Sequence, residues 1–135
     1  MAPSTELRAF ILQWYDSISS GDMLGSVERL CSHEAGLLAV GSDPTEWWDC
    51  FDAVIGAYRA TASKGGRAIE VDDLRAYREG TVSWVADRVV LKMPNAVEVP
   101  LRHTFVFHQE NGEWKIVHAH YSIGVTNEAI VYESA

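Results

Sequence analysis

From residue 68 onward the chain is written almost entirely in strand-length runs, and the joints between them are too short for anything but antiparallel neighbours. The runs are AIEVDDLRAYRE (68–79), TVSWVADRVVLKM (81–93), VEVPLRHTFVFHQ (97–109) and EWKIVHAHYSIGV (113–125), separated at Glu79-Gly80, Pro94-Asn95 and Glu110-Asn111-Gly112. A parallel return needs a crossover of a dozen or more residues, so tight turns between consecutive runs predict a meander. The first part of the chain has helical spacing instead. Leu7, Phe10, Ile11, Trp14 and Ile18 recur on one side of a helix over 5–20. Gly21 suits its end, and Asp22 can cap a short second helix over 23–31. GLLAV (36–40) reads as a short apolar strand. Asp43, Pro44 and Glu46 have the spacing of a capped helix start, which predicts a third helix running to about Ser63. KGGR (64–67) reads as a turn. The tail TNEAIVYESA is expected to extend a strand or pack on a neighbour. Helices followed by a meander define one α+β domain over 1–135, with the helices on one face of a curved antiparallel sheet.

Composition removes several function classes. With 135 residues the chain is long enough for a single well-filled core. A formal net charge of −8 argues against nucleic acid and against anionic membrane surfaces. No apolar run approaches the roughly 20 residues that span a bilayer, and MAPSTELRAF has no basic segment followed by an apolar one. Cys31 and Cys50 lack CxxC spacing, which points to a reduced, cytoplasmic chain.

Three stretches carry a family resemblance: WYDSISSGDMLGSVERL, VGSDPTEWWDCFDAV and RHTFVFHQENGEWKIVHAHYS. In this order they resemble the nuclear-transport-factor-2-like superfamily, and within it the SnoaL-like domains. The resemblance implies a cone-shaped, cystatin-like fold, with N-terminal helices packed in a strongly bent antiparallel sheet and a pocket at the wide end. It also implies a homodimer through the outer sheet face. The superfamily spans isomerases, cyclases, dehydratases and non-catalytic association domains, so only the site distinguishes among them.

Ketosteroid-isomerase chemistry finds no support. The resemblance places that family's tyrosine at Trp14, its base near Leu38 or Ala39, and its second acid near Thr104; none of these supplies the required proton chemistry. Asp72 and Asp73 are adjacent on a strand and point to opposite faces.

Strand alternation divides EWKIVHAHYS into two faces. Matching the turn glycine to the superfamily puts Val117, Ala119 and Tyr121 on the pocket wall, and turns His118 and His120 away toward a dimer interface. The preceding strand depends on the last turn. A two-residue Asn111-Gly112 loop sets His103, Phe105 and Phe107 opposite the histidine face; a three-residue loop sets them on the cavity face with Tyr121. The three-residue register is the one adopted, because it gathers the family signature on one surface. On TVSWVADRVVLKM, Arg88 matches a pocket arginine of the association domains and shares a face with Trp84. The competing role for Arg88 is an ion pair with Glu70, Asp72 or Asp73.

The expected site therefore has His103 as base, with Arg88 and Tyr121 as electrophilic donors. Trp14, Trp48, Tyr58, Trp84, Phe105, Val117 and Ala119 are the expected lining. No metal is expected at His118 and His120, since zinc needs at least a third ligand, and no cofactor is expected. Two functions stay open: an isomerase, cyclase or dehydratase acting on a small, largely apolar metabolite, and a non-catalytic binding or dimeric association domain.

Overall fold

The computed structural model describes residues 1–63 and 67–132; most of the expected KGGR turn lies outside the described residues. In chain order the elements are β1 (Ala2–Pro3), α1 (Thr5–Ser20), α2 (Met23–Leu30), β2 (Leu38–Val40), β3 (Trp47–Trp48) and α3 (Phe51–Ala62). Then come β4 (Ala68–Glu79), β5 (Val82–Lys92), β6 (Glu98–Glu110), β7 (Glu113–Ser122) and α4 (Asn127–Tyr132). The strands form one strongly curled, unclosed sheet in the order β1-β4-β5-β6-β7-β2-β3. The meander β4 to β7 is antiparallel throughout, as its short joints require. The sheet is mixed nonetheless, because β2 returns beside β7 in parallel.

Local chemistry sets the helix ends. The Ser4 side chain accepts the Leu7 N–H at 3.1 Å to start α1. Gly21 ends it at φ 89, a left-handed conformation that glycine adopts without steric cost. One expectation fails. Asp43 and Glu46 make the bonds of a capping box: Asp43 accepts from Thr45 N–H at 2.9 Å, and Glu46 accepts from Asp43 N–H at 2.8 Å. They close a turn rather than opening a helix, because Trp47 and Trp48 then pair with Val40 and Ala39. The helix begins only at Phe51. The tail forms α4 instead of extending a strand.

The core lies between α1 and the concave face of the sheet. Leu7, Ile11, Val85, Phe105 and Phe107 are fully buried there, each contributing about 1.5–3 kcal/mol of burial energy. α1 buries Leu7, Ile11, Trp14, Tyr15 and Ser17, a stripe wide enough to carry two adjacent aromatics inward.

The last hairpin corrects the expected turn. Asn111 (φ 53) and Gly112 (φ 82) form a two-residue loop, with Glu110 paired to Glu113. Pairing proceeds to Phe107 opposite Ile116, then jumps to Val106 opposite His118. Val117 is the extra residue of a β-bulge. Below it Trp114 and Ile116 point inward; above it Ala119 is buried and His120 exposed. The bulge restores the register attributed to a longer loop, so His103, Phe105 and Phe107 do share the concave face with Tyr121.

Candidate functional site

Where the curl opens, the concave face and α1, α3 and β3 enclose a cavity of about 240 Å³. Its wall is mainly apolar and aromatic, with Trp14, Trp48, Tyr58, Leu91 and Leu101 among the lining residues. His103 and Tyr121 stand opposite each other on β6 and β7 and both line it. Their rings meet edge to face, with centroids 4.6 Å apart. The Tyr121 hydroxyl is hydrogen-bonded to that of Tyr58. Burial, the largest cause in each case, pushes both phenols above their ordinary range.

Beneath His103 lies a buried polar cluster. Asp87 pairs with His103 across β5 and β6, and both are about 95% buried. Tyr15 reaches in from α1 and donates its hydroxyl hydrogen to Asp87 Oδ2. The same hydroxyl oxygen lies 2.8 Å from His103 Nδ1. Asp87 Oδ1 is 3.0 Å from Nδ1, outside hydrogen-bond geometry. Tyr15 has one proton and gives it to Asp87, so the proton between Tyr15 and His103 belongs to Nδ1. That assigns the Nδ1–H tautomer and leaves Nε2 as the lone-pair nitrogen. Nε2 has no hydrogen-bond partner among the described residues, and its ring lines the cavity. Burial, with the adjacent Asp87 carboxylate, holds the Tyr15 phenol far above its ordinary value, so it stays a donor at working pH.

The expected site residues divide accordingly. His103, Tyr121, Trp14, Trp48 and Tyr58 line the cavity. Ala119 lines a smaller void of about 20 Å³ beside it, with Trp14, Tyr58 and Tyr121. Phe105 is core beneath the histidine, its ring 5.7 Å from that of His103. Val117 is taken out by the bulge and lines neither space. Arg88 and Trp84 lie on the outer face: the buried positions of β5 are Ser83, Val85, Asp87 and Val89. Arg88 pairs with Asp73 at 3.7 Å, and Trp84 stacks on Tyr77. His118 and His120 also sit off the cavity, and His118 Nδ1 bonds the Leu38 carbonyl at 2.9 Å. Among the described residues no group of three or more His, Cys, Asp or Glu is placed to hold a metal ion. No helix among them is long and apolar enough to cross a membrane.

Tyr15 and Asp87 were missed. The sequence signal for Tyr15 was its i+4 spacing from Ile11, hidden by the adjacent Trp14. The signal for Asp87 was an acid between Val85 and Val89 on an otherwise apolar strand face.

A curled sheet around a helix, with an aromatic cavity and buried polar groups at its floor, defines a domain of cystatin-like architecture. The chain belongs to the SnoaL-like domain family, whose sequence profile matches residues 7–126. Solved structures with the same fold include an NTF2-like protein of unknown function from Pseudomonas putida, at 15% identity and TM-score 0.82, covering 93% of this chain and 89% of that one. A cystatin-like-fold protein from Caulobacter vibrioides shares 14% identity at TM-score 0.74, with 92% and 90% covered. A candidate dehydratase of the NTF2-like family from Streptomyces avermitilis shares 14% identity at TM-score 0.76, with 90% and 95% covered. At these identities the likeness is one of fold. No curated protein matches the sequence.

Proposed function

We propose that the protein binds a small, largely apolar metabolite and moves a proton on it, as an isomerase, cyclase or dehydratase does. The observation that supports this is the orientation of His103. Tyr15, held by Asp87, occupies Nδ1 and fixes the tautomer, so Nε2 is left as an oriented base on a mainly apolar cavity. In this reading Nε2 takes a proton from a carbon next to a carbonyl. The Tyr58–Tyr121 pair shares one of its two hydroxyl hydrogens internally, which leaves the other to stabilise the enolate oxygen. The imidazolium then returns its proton to another carbon, or to a departing hydroxyl. Asp87 and Tyr15 act through His103 as positioning residues.

The test is solvent exchange. Small apolar carbonyl compounds incubated in D₂O with the protein are expected to take up deuterium beside the carbonyl. His103→Gln is expected to slow this by about 10²–10⁴-fold, the range of general-base contributions. If a compound bound in the cavity exchanges no faster with the native protein than with the variant, the base assignment is wrong. The non-catalytic binding or association domain is then the better description.

A homodimer through the outer sheet face belongs to the same reading. His120 is exposed there beside Thr104, and His118 flanks it. Replacing both histidines by alanine is expected to weaken dimerisation several-fold while leaving cavity binding intact; sedimentation showing an unchanged dimer would count against this face. A cytoplasmic location fits the unpaired, exposed Cys50.

A further inference from the structure

Arg67, immediately before β4, is the one lysine or arginine among the described residues that lines the cavity. Its Nε is buried and has no hydrogen-bond partner, and Arg67 takes part in no ion pair among the described residues. The contrast within the molecule is informative. Arg29, Arg75, Arg78 and Arg88 each reach an acid on the exposed surface, and Arg8 donates to the Leu74 carbonyl. Arg59 and Arg102 have no ion pair but stand in water. Among the described arginines only Arg67 combines partial burial with a buried Nε that has no hydrogen-bond partner, in a chain of formal charge −8 that has acids to spare. A buried donor without a partner costs about 1–3 kcal/mol, more when charged, so an anion brought against this guanidinium would offset part of that cost.

Glu46 also lines the cavity, but it is committed elsewhere. Its Oε1 accepts the Asp43 N–H, and the side chain lies over Gly41, where an added Cβ would come within 2.5 Å of it. The wall between Arg67 and His103 is apolar: Ile69, Leu91 and Leu101. Ile69 is paired with Leu91, and Leu91 is four residues beyond Asp87, about 13 Å along the strand. The arginine and the histidine thus stand toward opposite ends of an apolar passage.

We propose that Arg67 holds the carboxylate of the ligand, so that the cavity takes a small monocarboxylic acid whose apolar body extends toward His103. The Arg67 guanidinium lines the cavity, and a planar guanidinium pairs with a carboxylate in bidentate fashion. The proposal rests on the cavity being a ligand site, and it names the ligand class; it does not require His103 to act as a base.

The experiment uses hexanoate and hexanamide, which match in shape and differ in charge, titrated at low salt against the fluorescence of Trp14 and Trp48. Hexanoate is expected to bind the native protein at least tenfold tighter than hexanamide. Arg67→Gln is expected to remove that preference while leaving hexanamide affinity within about twofold, and Arg67→Lys to restore part of it. The thermal midpoint of Arg67→Gln should hold or rise, since the variant loses an unpaired charge. Equal binding of the two probes by the native protein, or a preference that survives Arg67→Gln, overturns the carboxylate assignment alone. Failure of both probes to bind at millimolar concentration overturns the ligand cavity as well.

Discussion

Asp87→Ala is expected to lower the unfolding free energy by about 3–5 kcal/mol, whereas Arg88→Ala, one residue further along β5, should change it by less than about 0.5 kcal/mol. The asymmetry follows from which way each side chain points. Asp87 is buried, accepts the Tyr15 hydroxyl and faces His103. Its removal takes the acceptor from the Tyr15 hydroxyl and the carboxylate from beside His103, and leaves a hole in a buried site. Arg88 is exposed, and its pair with Asp73 is long and screened. Urea unfolding of the two variants decides the matter, and similar losses in both would refute the inward placement of Asp87. Asp87→Asn separates stability from chemistry. Its amide oxygen still accepts from Tyr15, so the fold should survive. Its amide N–H₂ then faces Nδ1 and disfavours the Nδ1–H tautomer, which removes the free lone pair from Nε2. Deuterium exchange should fall by about 10²–10⁴-fold with little change in unfolding free energy.

Stability is also expected to fall steeply in alkali. Burial pushes the Cys31 thiol up to about 12 from an ordinary 9.0, and Tyr15 is held far above an ordinary 10.0. Both groups keep their protons in the folded chain after the unfolded chain has lost them. Where the folded state binds more protons, stability decreases as pH rises. The contribution is therefore intact below pH 9 and declines above it, first through Cys31 and from about pH 10 through Tyr15 as well. Each group accounts for about 1.4 kcal/mol per pH unit, so the two together cost about 4 kcal/mol by pH 11. Tyr58 and Tyr121, raised in the same direction, add to this. Denaturant titrations from pH 8 to 11 measure the slope. Between pH 9 and 10 the slope belongs mainly to Cys31, so Cys31→Ala should flatten that interval; an unchanged slope there would mean the thiol is not buried.

The meander, α1 and the family were all legible, because each rests on local periodicity or turn chemistry that the sequence carries directly. The errors came where two local readings were equally good. Both faces of β5 are apolar enough to be buried: Trp84, Ala86 and Val90 on one, Val85, Val89 and Leu91 on the other. A period of two does not say which is inside. The choice is made by pairing with β6, where Asp87 meets His103. Likewise a capping-box pattern at Asp43–Glu46 forms its local bonds and still opens no helix, because Trp47 and Trp48 are recruited by β2.

The sequence by itself determined the α+β order and the antiparallel meander, since turns and alternation act over a few residues; the inward side of β6 depended on the bulge opposite it. Only the tertiary structure decided that Val117 bulges, that Arg88 faces water, and that Tyr15, Asp87 and His103 meet. Those three residues are 72 and 88 positions apart, counted from Tyr15. Curling the sheet around α1 joins them, and that closure depends on how the whole core packs rather than on any short stretch of chain.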